Sequence, residues 1–358
     1  MVVNPRTEQF LEKYRQRISN TLEVPKKEGD GTVKHLRDIE IRQDFLFMGY
    51  STILSPQRAE RPNKPLESGV QSNTGECIFC PGLIEKVTPL PRKYHDKLIT
   101  FPSESETKVN GKTITVPNLY PFASPHWVTV FSTHKPDLSK LDYSDMTNYF
   151  ESGYEILTEI EKNGAHGVDG YWDIINWGNL AGASQVHPHA QRGGLLEKAI
   201  TTLDSELEAY CSGAYKRMQS QDPFEEYMNI IRESDLVGWE DSYLFIHSPF
   251  APKMSDQIDI ILKPKIHSLS ELNEKERYHI ARCMLGVFHM QYHQRKVKHL
   301  NVIMHQQRFS SREKTYRIHW HIIPRDKSLW GGMEMNEKYV VDVYPETTAA
   351  EIRKHYKT

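Results

Sequence analysis

The chain has 358 residues, a formal net charge of −2, 17 histidines and 4 cysteines, with a mean hydropathy of −0.62. That balance gives no reason to expect bulk electrostatic binding of nucleic acid or an anionic membrane, and no apolar run approaches the ~20 residues of a spanning helix. Four cysteines are too few for a disulfide framework at this length, and the charged start MVVNPRTEQFLEKYRQRISN predicts no secretory signal, so a cytoplasmic protein is expected.

Residues 1–50 read as helical and then irregular, an N-terminal extension. From Val128 onward β and α signals alternate. VTVF (128–131) predicts a strand; Met146, Tyr149, Phe150, Gly153, Leu157 and Ile160 follow helical spacing, with Asn163-Gly164 as the stop. YWDIINW (171–177) predicts another strand, followed by a glycine-bearing turn and HPHAQ. The order then repeats: IDIIL (258–262) is strand-like, and a helix from about Asn273 carries Ile280, Met284, Leu285 and Phe288, with Asn273 and Glu276 spaced as a capping box. LNVIM (300–304) and HWHII (319–323) close the unit.

Two landmarks repeat at almost one interval. LSKLD at 138 and LSELN at 269 lie 131 residues apart, and His187-Pro-His189 lies 132 residues before His319-Trp-His321. The expectation is a duplicated unit, one half at 51–210 and the other at 211–358, with Gln191 of the first matched by Ile323 of the second. The halves differ where chemistry is decided, so one is expected to react and the other to pack or bind metal.

On an extended strand His187, His189 and Gln191 share a face, with Pro188 turned away. The small residues of GNLAGAS (178–184) let backbone N–H groups approach an anion, and Ser184 adds a hydroxyl. An imidazole attacks phosphorus when one nitrogen is bare and the other donates to a fixed acceptor. An amide at 191 steadies phosphoryl oxygens without giving up a proton. Cys77 and Cys80 have the spacing of half a tetrahedral zinc site, to be completed by His134 and His187; redox use is the alternative. His305, His319 and His321, with a carboxylate from 204–208, suit iron or a second zinc, the alternative being buried histidines satisfied by hydrogen bonds. Arg58 and Arg61, in a proline-punctuated loop, are placed to clasp phosphate, although a solvated basic turn gives the same pattern.

HPHAQ, together with LSPQRAERP, CIFCPG, the 176–184 segment, HWHIIP and GGMEMNE in that order, resembles the galactose-1-phosphate uridylyltransferases, the transferase branch of the histidine triad superfamily. The resemblance spans roughly 50–350. It implies an α+β fold of two histidine-triad-like halves sharing a mostly antiparallel sheet. It implies His189 as a nucleophile that carries the nucleotide, with Gln191 and Ser184 at the phosphoryl group. Arg58, Arg61, Asn118, Asn176 and Gly182 would join them in holding the nucleotide and its phosphates. Cys77, Cys80, His134 and His187 would hold zinc, and Glu206, His305, His319 and His321 a second metal. Gly332 and Glu334 fit the hexose-binding segment. Substrates would be an NDP-sugar and a sugar 1-phosphate, most simply UDP-glucose and a hexose 1-phosphate, on a homodimer. The chain departs from the family at Leu119, which replaces an aspartate, and at Ser328, Leu329, Met333 and Val340, where lysine, phenylalanine, tyrosine and glutamine are expected. A lost sugar contact costs discrimination, which opens a second reading, an ADP-sugar or dinucleoside polyphosphate phosphorylase. A zinc-stabilised nucleotide-binding regulator without turnover is the reading from another class.

Overall fold

The computed structural model describes residues 4–25, 32–46, 51–54, 77–80, 83–84, 93–95, 113–118, 125–132, 134, 137–163, 168–185, 187–196, 205–311, 313–326 and 332–357. Its helices are α1 (Pro5–Glu12), α2 (Tyr143–Asn163), α3 (Ser205–Met218), α4 (Pro223–Glu233), α5 (Glu274–Arg295), α6 (Gly332–Met335) and α7 (Pro345–Lys357). The strands are β1 (Arg15–Pro25), β2 (Thr32–Gln43), β3 (Ser51–Leu54), β4 (Lys93–His95), β5 (Thr113–Pro117), β6 (His126–Val130), β7 (Val168–Trp177), β8 (His189–Leu196), β9 (Val237–Glu240), β10 (Leu244–His247), β11 (Ile258–Leu262), β12 (Leu300–His305), β13 (His319–Pro324) and β14 (Lys338–Val341). Ten strands form one sheet in the order β4-β5-β6-β8-β7-β12-β13-β11-β10-β9, and β1-β2-β3-β14 form a second.

The large sheet is the expected duplicated α+β architecture. Outward from the β7–β12 seam, the five strands of the first half follow the same order as the five of the second, each with a long helix on the crossover between its third and fourth strands. The short 3-10 turns at Leu138–Lys140 and Leu269–Glu271 keep the 131-residue interval. Both long helices open on a capping box. Asn273 and Glu276 exchange side-chain and backbone bonds, and Asp142 and Asp145 do the same at 2.9 and 3.3 Å.

Alternation of side chains along the strands builds two layers of core. Leu244, Ile246, Ile260, Leu262, Trp320 and Ile322 pack in one cluster with α2 and α5. Phe245 and Ile261 turn the other way, to α3, α4 and the N-terminal Leu11 and Phe45. A strand covered on both faces reads as a nearly continuous apolar run, which is why IDIIL is apolar at every position but Asp259.

The N-terminal region departs from the sequence expectation: after α1 comes the long antiparallel β1–β2 hairpin, not irregular chain. The buried face of β2 near its end is charged. Arg42, 3% exposed, bonds to Glu40, to the Phe250 carbonyl and to Glu346. Buried ion pairs in place of apolar alternation hide a strand from hydrophobic periodicity.

Candidate active site

β8 starts at His189, where the Phe131 N–H donates to the Pro188 carbonyl at 3.1 Å. Arg192 and Ala190 point to the α2 side. Arg192 is fully buried, 2.9 Å from Asp173 and bonded to the Thr129 and Ser152 hydroxyls and the Tyr149 carbonyl. That network pins the strand from behind, so His189 and Gln191 present on the opposite face.

The ring of His189 is held in one tautomer. Its Nδ1 lies 3.0 Å from the His187 carbonyl, which only accepts, so Nδ1 carries the proton and Nε2 the lone pair. Phe79, between the two cysteines, meets the ring edge-on at 5.2 Å. Burial lowers the pKa of His189 despite that hydrogen bond, which favours the neutral, nucleophilic ring.

His187 precedes the strand and serves another group. Its Nε2 donates to the Phe131 carbonyl at 2.9 Å, which leaves Nδ1 facing Cys77 Sγ at 3.6 Å, Cys80 Sγ at 3.8 Å and His134 Nδ1 at 3.3 Å. Cys80 Sγ and His134 Nδ1 are 3.0 Å apart. A tetrahedral ion with bonds of about 2.0–2.3 Å separates its ligands by roughly 3.3–3.8 Å, so these four residues could hold a metal. Burial pushes His187 down to about 4, which keeps the ligand nitrogen bare.

Asn176, near the end of β7, accepts from Asn301 Nδ2 at 2.7 Å, which turns its own NH2 away from that contact. The following turn needs two glycines at positive φ, Gly178 at 81° and Gly182 at 86°; a Cβ on Gly178 would sit 2.3 Å from the His299 ring. The amides of Leu180, Ala181, Gly182 and Ala183 all donate inside this turn, to Asn179 Oδ1 or to the carbonyls of Gly178 and Asn179. The expected cradle of free backbone donors is therefore corrected over 180–183; Asn179, Gly182 and Ser184 are the exposed residues of the turn. Asn118 follows β5 and reaches His126, the residue bonded to Gln191. Arg58 and Arg61 lie outside the described residues, as do Leu119, Ser328 and Leu329.

The second cluster also forms. The ligand atoms of His305, His319 and His321 lie within 4.8 Å of one another. His319 Nδ1 donates to the Arg317 carbonyl at 2.9 Å, and His321 Nδ1 is 2.9 Å from Asp259, so both rings offer Nε2 inward. Burial pushes the Asp259 carboxyl up, but His321, His247 and the Gln257 amide together outweigh it, leaving the group below its ordinary value. Glu206 is on α3 and Glu334 on α6, but their side chains, like the surroundings of Gly332, lie outside the described residues. Met333 is 48% exposed. Sequence reasoning missed His126, Asp259 and Asn301. Asp259, the lone charge inside IDIIL, was the one visible signal.

The strand registers revise the internal match. Val130 faces His189 as Ile261 faces His319, and the Phe131 to Pro188 hydrogen bond recurs as Leu262 to Ile318. His189 therefore corresponds to His319, and Gln191 to His321 rather than Ile323. One step beyond the Ile175–Ala190 pair, Asn176 takes the place that His305 holds opposite His319. The sequence pairing slid by two residues because a histidine at each alternate position gives the same string in two registers.

Three solved structures share this architecture. An ADP-glucose phosphorylase from Arabidopsis thaliana matches with a TM-score of 0.67 at 20% identity, over 88% of this chain and 99% of that one. The chain has the fold of the galactose-1-phosphate uridylyltransferases. A GalT-like protein from the same plant superposes on this uridylyltransferase-type fold with a TM-score of 0.65 at 20% identity, over 88% and 98%. A uridylyltransferase does so with a TM-score of 0.60 at 19% identity, over 83% and 93%. No family model matches the sequence, and no curated protein matches it. Among the described residues of the uridylyltransferase-type fold seen here, no helix is long and apolar enough to cross a membrane.

Proposed function

We propose that this chain is a nucleotidyltransferase of the galactose-1-phosphate uridylyltransferase family, working in two half-reactions through His189. The observation that carries the reading is the tautomer: Nδ1–H is tied to the His187 carbonyl, leaving the Nε2 lone pair as the nucleophile. Nε2 attacks the α-phosphorus of an NDP-sugar, the phosphorus–oxygen bond to the β-phosphate breaks, and sugar 1-phosphate departs. The ring keeps its Nδ1 proton, so positive charge develops on it and strengthens the hydrogen bond to the carbonyl. Gln191, Ser184 and Asn176 hold the phosphate oxygens, and one cradle serves both half-reactions. Cys77, Cys80, His134 and His187 would hold zinc with a closed shell, fixing the loop whose Phe79 packs against the nucleophile. His305, His319 and His321 would hold iron or a second zinc.

The acceptor is a phosphate-terminated nucleophile. A hexose 1-phosphate, with UDP-glucose as donor, is the first reading. Met333, at the place of an expected tyrosine, offers no hydroxyl to a sugar, which supports a second reading, in which inorganic phosphate releases the nucleotide as an ADP-sugar phosphorylase would. Both predict a covalent adduct. Incubation with UDP-glucose or ADP-glucose without acceptor adds the mass of UMP or AMP to the peptide holding His189, and His189→Gly abolishes it. Release by galactose 1-phosphate or by inorganic phosphate then separates the two readings. An adduct-free protein that binds nucleotide with unchanged affinity in His189→Gly would instead be a regulator.

A further inference from the structure

Gln191 can steady a phosphoryl group only if its NH2 faces it, yet a primary amide can present either end. What decides lies one strand away. His126, on β6 and 5% exposed, places Nε2 3.1 Å from Gln191 Oε1. Asn118 Nδ2 is 3.0 Å from Nε2 and 3.5 Å from Nδ1 of the same ring, which puts it over the ring face, off the in-plane direction of the Nε2 proton or lone pair. A neutral ring has one proton, so the Gln191 contact has two self-consistent arrangements. With Nε2 bare, Gln191 must give it an N–H and turn its carbonyl outward, the wrong polarity for an anion. With the proton on Nε2, it donates to Gln191 Oε1, and the amide directs its NH2 away from the ring. The second arrangement keeps the oxygen of Gln191 where it lies.

We propose that His126, protonated on Nε2, is a positioning residue that fixes the polarity of Gln191, so that its amide offers an N–H donor to the nucleotide. Trp172 supports the ring edge-on at 5.0 Å, and the Asn118 backbone N–H donates to the His126 carbonyl at 2.9 Å, which holds Asn118 over the ring face. Burial lowers the His126 pKa against the pull of Gln191, which keeps the ring neutral and the proton single. The inference rests on the function proposed above for what Gln191 does, but not for where the proton sits.

Two measurements test it. In protein labelled with nitrogen-15 histidine and free of nucleotide, the His126 ring, assigned by its loss in His126→Gln, carries its proton on Nε2; a proton on Nδ1 overturns the proposal. In single-turnover adduct formation from ADP-glucose or UDP-glucose, His126→Leu slows the reaction about tenfold, the worth of one hydrogen bond, with the sugar nucleotide's Kd little changed. His126→Gln, which retains a donor, recovers part of the rate. The same His126→Leu change costs nothing further in a Gln191→Leu protein; an equal loss in both backgrounds, or none in the parent, overturns the proposal. A parent protein that forms no adduct removes the proposed function, and the ring spectrum still decides His126.

Discussion

His187 works at both ends of its own residue. Its side chain gives Nδ1 to the Cys77, Cys80 and His134 group, and its backbone carbonyl takes the Nδ1 proton of His189. The metal that this group is proposed to bind would therefore set the nucleophile through one peptide unit, without touching substrate. Cys80→Ser should lose one metal equivalent per chain in elemental analysis of the purified protein. Adduct formation should fall by roughly 10–100-fold, the usual scale for disturbing the surroundings of a ligand. A protein that loses the metal and keeps the full rate would show that His189 is held by the strand alone.

At the scale of elements, the two long helices begin alike but with different chemistry. The Asn273–Glu276 box of α5 is exposed, whereas the Asp142–Asp145 box of α2 sets two carboxylates together, with Asp145 3% exposed and bonded to Ser132. Burial raises Asp145 from its ordinary 3.8 to about 6; the Ser132 hydroxyl opposes that and Asp142 adds to it. Folded Asp145 thus holds its proton up to about pH 6, while the unfolded chain releases it near 3.8. Between those values the folded state binds more protons, so this carboxyl makes the fold more stable as pH falls from 7 toward 4, by at most about 3 kcal/mol. In urea unfolding, the stability change from pH 7 to pH 5 should be about 1.3 kcal/mol more favourable in the parent than in Asp145→Asn. That comparison cancels the buried histidines, which oppose the gain over the same range; equal changes in the two proteins would refute the assignment. The two long helices, α2 and α5, and the inner strands β6, β7, β11, β12 and β13 were legible in the sequence because each buries one apolar stripe or a nearly continuous apolar run; α3, α4 and α7 were not read. The β1–β2 hairpin was not, since Arg42 and Glu40 are buried as an ion pair. The site was legible as a set of residue types, but its register was ambiguous: alternate histidines match themselves when slid by two.

At the scale of the molecule, the duplication places two trios on equivalent strand positions, Asn176, His189 and Gln191 in one half and His305, His319 and His321 in the other. One set offers a nucleophile flanked by amides; the other is all imidazole, suited to an ion. The halves meet at the β7–β12 seam, and there the second half reaches into the first. Asn301 Nδ2, on β12, donates to Asn176 Oδ1 at 2.7 Å and to the Ala181 carbonyl at 2.8 Å, while its own Oδ1 accepts from Arg325 at 3.1 Å. One side chain thereby fixes the polarity of Asn176 and clamps the turn ahead of Ser184. Asn301→Leu keeps the size of the residue and removes both donors, leaving Asn176 free to turn its oxygen toward the phosphates. Losing two hydrogen bonds worth about 1 kcal/mol each should slow adduct formation by roughly 10- to 30-fold. The second metal, read by elemental analysis, should stay in place, because its three histidines keep their partners. If the rate is unchanged, the seam is packing alone; if metal is lost as well, the substitution has disturbed the sheet rather than the site.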